Sequence, residues 1–129
     1  MNRVEYLIEL IKRDVEQIKI TEEDIKAMEL KLIVELKSAE EKCEMYEEMY
    51  EDDEDLIISA FKEYENIRAP ITHLEHQSHV YKLSLIDHYE ELLKEKEEFD
   101  EDISKSLSIA KYNISRLEEV VEMIKEVFN

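Results

Sequence analysis

The sequence predicts an all-α fold: an antiparallel helical hairpin or coiled coil, or a compact bundle of three or four helices. Three observations carry this. The 129 residues include no Gly and one Pro, and tight β-hairpin turns depend on Gly for left-handed backbone. Glu, Lys, Leu and Ile dominate the composition, and all four suit helices and coiled coils. Apolar residues recur at alternating spacings of three and four, the signature of one buried helical stripe. A hydrophobic content of 43% is too high for a disordered acidic tail. The expected organisation is one helical domain over residues 1–129.

The first half carries a heptad. One column runs Val4, Ile11, Ile18, Ile25, Leu32, Ala39 and Tyr46; the other runs Ile8, Val15, Glu22, Glu29, Leu36, Cys43 and Tyr50. Thr21-Glu22-Glu23-Asp24 reads as a helix start, with acids suited to the positive end of the helix dipole. The heptad passes this point in phase, which favours a continuous or merely kinked helix. Asn66-Ile67-Arg68-Ala69-Pro70 is the best stop signal in the chain, since Pro pushes its predecessor out of helical geometry. The main helix break is therefore expected near 66–70. Ile57, Tyr64, Ile71 and Leu85 keep a seven-residue phase across it, so a Pro-kinked helix is the alternative. The last segment shows an unbroken stripe: Ile103, Leu107, Ala110, Ile114, Leu117, Val121, Ile124 and Phe128. The acid runs Glu51 to Asp55 and Phe99 to Asp102 are weaker candidates for breaks.

Charge is the most informative property. The net value is −18, from 35 acids and 17 bases. Residues 40–55 hold Glu40, Glu41, Glu44, Glu47, Glu48, Glu51, Asp52, Asp53, Glu54 and Asp55 against Lys42 alone, leaving −9. Residues 87–102 hold Asp87, Glu90, Glu91, Glu95, Glu97, Glu98, Asp100, Glu101 and Asp102 against Lys94 and Lys96, leaving −7. Folding about residue 68 would place the two windows side by side. Sixteen helical residues span ~24 Å, along which duplex DNA carries ~14 phosphates, so such a band would approach DNA in charge density. Met45, Tyr46, Met49 and Tyr50 interleave with the first window. The tyrosines fall on the heptad and are expected in packing. Met45 lies one residue off it and is expected to be exposed; Met45 and Met49 are the apolar candidates for partner contact.

Acidity disfavours direct contact with nucleic acid or an anionic membrane and favours a basic protein partner. One cysteine, Cys43, excludes an internal disulfide and suits a reducing compartment. Met1 to Val15 carries Glu5, Glu9 and Asp14, unlike a signal peptide. A cytoplasmic protein is expected. His73, His76 and His79 recur every three residues beside Glu75. They could supply a two-ligand metal site, but no fourth ligand is evident. Three neighbouring histidines near a turn are ordinarily surface residues, although a pH-sensitive contact is conceivable. His88 follows Leu85 by three residues and is expected on the packing surface. No Glu-x-x-His of a di-iron bundle occurs, Cys43 is expected to be buried and unreactive, and no Gly-rich phosphate loop can form. Neither a catalytic residue nor a cofactor or metal ligand is assigned.

The expectation is a non-enzymatic acidic helical protein that binds a basic surface of a partner protein and self-associates. A second reading is a nucleic-acid mimic of the kind phages use against restriction, CRISPR and other DNA-handling enzymes; the likeness lies in size and charge layout and in no motif. A remote third is a metal-binding helical-bundle enzyme resting on the histidine triplet.

Overall fold

Asn2 starts the first helix. Its side-chain oxygen accepts from the Glu5 amide at 2.8 Å and its amide group returns a bond to the Glu5 carboxylate at 3.3 Å, satisfying a donor that a helix N-terminus otherwise leaves bare. The computed structural model describes residues 1–128, and these form five helices with no strand: α1 (Arg3–Lys31), α2 (Ile33–Met49), α3 (Glu54–Glu95), α4 (Glu101–Tyr112) and α5 (Ile114–Phe128). The all-α expectation holds.

The boundaries follow local chemistry. α1 runs through Thr21, whose hydroxyl donates to the Gln17 carbonyl at 2.7 Å instead of capping a new helix. Leu32 interrupts the helix for one residue (φ −102, ψ 9). The ladder nevertheless continues, since Leu32 N–H bonds to Met28 O at 3.0 Å and Leu36 N–H to Leu32 O at 2.8 Å. The chain then reverses at residues 50–53, where Asp53 caps α3 by accepting from the Leu56 amide at 3.2 Å.

The break expected near 66–70 is not there. α3 holds Pro70 in its interior and continues to Glu95. Proline deletes one backbone bond and crowds the preceding turn, at a cost of ~3 kcal/mol. The apolar phase Ile57, Ala60, Tyr64, Ile67, Ile71 is the same on both sides, and Ala60 and Ile71 are buried. Keeping that face in register outweighs the local penalty.

α3 ends in a Schellman turn. Glu98 N–H bonds to Leu93 O at 2.8 Å, Glu97 N–H bonds to Lys94 O at 3.1 Å, and Glu97 takes the left-handed position with φ 58, where Gly is the usual occupant. Asp100 caps α4, accepting from the Ile103 amide at 2.8 Å. The stripe over 103–128 is not one helix. Asn113 is extended (φ −134, ψ 110) and caps α5 by accepting from the Arg116 amide at 3.1 Å. Leu107, Ala110, Leu117, Val121 and Ile124 are buried as the stripe implies, but Ile114, beside the break, is 71% exposed and Val120 is buried in addition.

The chain divides into two compact units. The first comprises Met1–Thr21 and the chain from Gln77 onward. Its core is Leu7, Ile11 and Ile18 of α1, Leu85, Ile86, Leu92 and Leu93 of α3, Leu107 and Ala110 of α4, and Leu117, Val120, Val121 and Ile124 of α5. Tyr89 and Phe128 meet edge to face at 6.3 Å within it. The second unit is Glu22–His76: the end of α1, all of α2 and the first half of α3. Its buried residues are Ala39, Ala60 and Ile71. Burying a Leu or Ile contributes ~1.5–3 kcal/mol. By that measure the first unit is well supported and the second is not.

Candidate interaction surface

The first acid window occupies the C-terminal half of α2, the 50–53 reversal and the start of α3. All ten of its acids are exposed. Among the described residues none of the ten forms an ion pair. The one base nearby is committed elsewhere: Lys42 Nζ bonds Glu63 of α3 at 2.8 Å and lies 5.5 Å from the Tyr46 ring. That bond raises the Lys42 pKa above its ordinary value, so the ammonium stays charged and occupied. Met45 and Met49 are 46% and 66% exposed, which places both sequence-assigned apolar candidates on the surface. Tyr46 is half-buried, while Tyr50 is exposed and packs edge to face on Tyr46 at 5.2 Å. Cys43 is half-buried and less enclosed than expected. Burial, followed by the charges of Glu47 and Glu63, pushes its thiol pKa up, which disfavours the thiolate needed for nucleophilic chemistry.

The second window, in the first unit, is different. Lys111 bonds Asp87 at 2.9 Å and approaches Glu90 at 3.6 Å. Arg3 bonds Glu91 at 3.0 Å and approaches Glu95 at 3.9 Å, and Lys105 lies 3.5 Å from Glu101. Asp100 caps α4. Of its acids, Glu97, Glu98 and Asp102 remain as exposed carboxylates with no ion pair or cap. The reversal at residue 68 that would have faced one window with the other is absent, because α3 is continuous there. The two windows belong to different units, and the charge-density match to DNA loses its geometric basis.

The first unit also holds a buried polar cluster that pattern reading missed. Asp14 is 7% exposed. His88 Nδ1 lies 2.6 Å from its Oδ2, and the Ser84 hydroxyl sits 3.4 Å from both carboxylate oxygens. Burial raises the Asp14 pKa above its ordinary value, against the opposing pull of His88 and then Ser84. The serine addresses the carboxylate and not the imidazole, so this is not a hydroxyl activated by a base. A signal existed: Leu7, Asp14 and Thr21 form a second column beside Ile11 and Ile18, and Ser84 and His88 are one helical turn apart. The apolar Ile8 and Val15 masked it.

His73 and His76 are exposed and His79 is half-buried. Among the described residues no group of three or more His, Cys, Asp or Glu side chains is arranged to hold a metal ion, and no helix is long and apolar enough to cross a membrane. No protein family, curated protein or solved structure matches the chain.

Proposed function

We propose that this chain is a non-enzymatic helical interaction protein of the cytoplasm that docks a basic surface of a partner protein through residues 40–55. One observation carries the reading: these ten acids are exposed and none forms an ion pair, whereas five acids of the comparable run at 87–102 are paired with Arg3, Lys105 and Lys111. Concentrating like charge on one tip without internal cations costs stability through self-repulsion. A basic partner would relieve that repulsion and gain favourable steering at low salt. Met45 and Met49, alternating on the helix surface with Glu41 and Glu48, add adaptable apolar contact.

The test is capture of partners from the native host, then affinity against salt for the leading one. Binding should weaken steeply as salt rises. The quadruple variant Glu41→Lys, Glu48→Lys, Asp52→Lys and Asp53→Lys should lose it by ~100-fold or more, as expected when several close charge pairs reverse sign. Unchanged affinity in that variant would sink the proposal. Competition by duplex DNA for the same partner would identify a nucleic-acid-binding protein as the target.

A further inference from the structure

α2 is poorly supported, and the reasons lie in its own residues. Ala39 is its one buried side chain. Its last turn holds Glu47 and Glu48 and no base, so carboxylates stand at the negative end of the helix dipole, where cations belong. Glu44 is ringed by acids at helical spacing, with Glu40 and Glu41 a turn before it and Glu47 and Glu48 a turn after. Like charges three and four residues apart destabilise a helix. The base within this stretch, Lys42, is held by Glu63 at 2.8 Å.

The rest of the second unit does little to hold α2 down. Its part of α3 buries Ala60 and Ile71 and runs through Pro70, which deletes a backbone hydrogen bond. In the first unit, by contrast, four helices share a core, and Lys82, 8% exposed, bonds Glu118 of α5 at 2.6 Å. α1 and α3 both pass from one unit into the other without a loop. A helix shortens from an end residue by residue, and regrowing it needs no new nucleus. Opening that begins at the 50–53 reversal can therefore run along α2, the end of α1 and the first half of α3. It stops where α1 and α3 enter the first core, at the fully buried Ile18 and Leu85.

We infer that residues 22–76 open and close as a unit while the first unit stays folded, and that the carboxylates at the C-terminal end of α2 set the balance. Neutralising Glu44, Glu47 and Glu48 closes the unit. Glu54 and Asp55 do not act this way, because they stand in the first turn of α3, where the dipole favours acids. The device belongs to the free chain and is tested without a partner. One consequence rests on the docking reading above: a basic partner closes the unit as it binds, since it favours the closed state.

Hydrogen exchange of the full chain in sub-denaturing urea tests it. Amides of residues 22–76 should share one opening free energy and one urea slope. Both should be smaller than those of the slowest amides in α4 and α5, because a partial opening exposes less surface. The triple variant Glu44→Gln, Glu47→Gln and Glu48→Gln keeps helix propensity while removing the repulsion and the conflict with the dipole. It should slow exchange over 22–76 by about tenfold at low salt, and salt at about 0.5 M should erase most of that gain. Glu54→Gln with Asp55→Asn should not slow it. A single free energy and slope across both units overturns the inference. So does a triple variant that exchanges like the wild type, or a Glu54 and Asp55 variant that slows exchange as much as the triple one.

Discussion

Asp14 is a carboxylate buried beside the core, at a position off both apolar columns of the heptad. Its position between Leu7, Ile11 and Ile18 of α1 puts it against α3, where His88 and Ser84 supply its hydrogen bonds. Burial is the dominant influence and raises its pKa, so in the folded chain the ionised form is disfavoured relative to the unfolded one. The sign follows. Above the folded pKa the charge subtracts from stability; as pH falls through that pKa the carboxyl protonates and the penalty is lifted. Asp14→Asn keeps an acceptor for the imidazole and a polar group for Ser84 without the charge. It should stabilise the protein by about 1 kcal/mol at pH 7 and by nothing at a pH well below the carboxyl titration. Urea denaturation at both pH values checks this; a variant less stable than wild type at pH 7 would show that the imidazole contact outweighs desolvation. His88→Phe removes the partner and leaves a buried unpaired charge, which should cost ~3 kcal/mol or more at pH 7. This cluster could not be read in advance, because Ile8 and Val15 offer an equally periodic and more apolar column. Only the packing of α3 on α1 decides between the two columns.

At the scale of elements, two residues sit in backbone positions that cost energy, and both make predictions. Glu97 holds the left-handed position of the Schellman turn in a chain with no Gly. A residue with a Cβ pays ~1 kcal/mol there, so Glu97→Gly should raise stability by about that amount, as the usual preference for Gly at this position implies. Pro70 sits inside α3, and Pro70→Ala restores a donor to the helix and should raise stability by ~1–3 kcal/mol. Either variant proving destabilising in a thermal melt would mean that the turn or the helix is held by something other than backbone geometry. The same elements show what the sequence made legible. The breaks at the acid runs 51–55 and 99–102 were readable because the acids that start the next helices, Asp53 and Asp100, cap them locally. The stop at Pro70 was misread because the apolar phase around it is a tertiary constraint that overrides a local signal. The split at Asn113 was invisible for a related reason: α4 and α5 keep the same apolar alternation on either side of one extended residue. The acid windows were readable as composition, but their fates were not. Arg3 and Glu91 are 88 residues apart in sequence, and no local rule pairs them.

For the molecule as a whole, the uneven distribution of buried side chains implies uneven stability. The first unit draws core residues from four helices, while the second buries only two alanines and one isoleucine, beside half-buried residues such as Leu36 and Tyr64 and the Lys42–Glu63 and Arg68–Glu75 ion pairs. Exposed pairs of that kind contribute ~0–1 kcal/mol. Amide protection tracks local burial, so hydrogen exchange at low protein concentration should be faster over residues 22–76 than over α4, α5 and the first half of α1. Added salt screens repulsion among the acids of 40–55 and should slow exchange near the reversal at 50–53. Uniform protection across both units would contradict the burial difference, and exchange near 50–53 that is indifferent to salt would show that the acid run there carries no self-repulsion that matters to the fold.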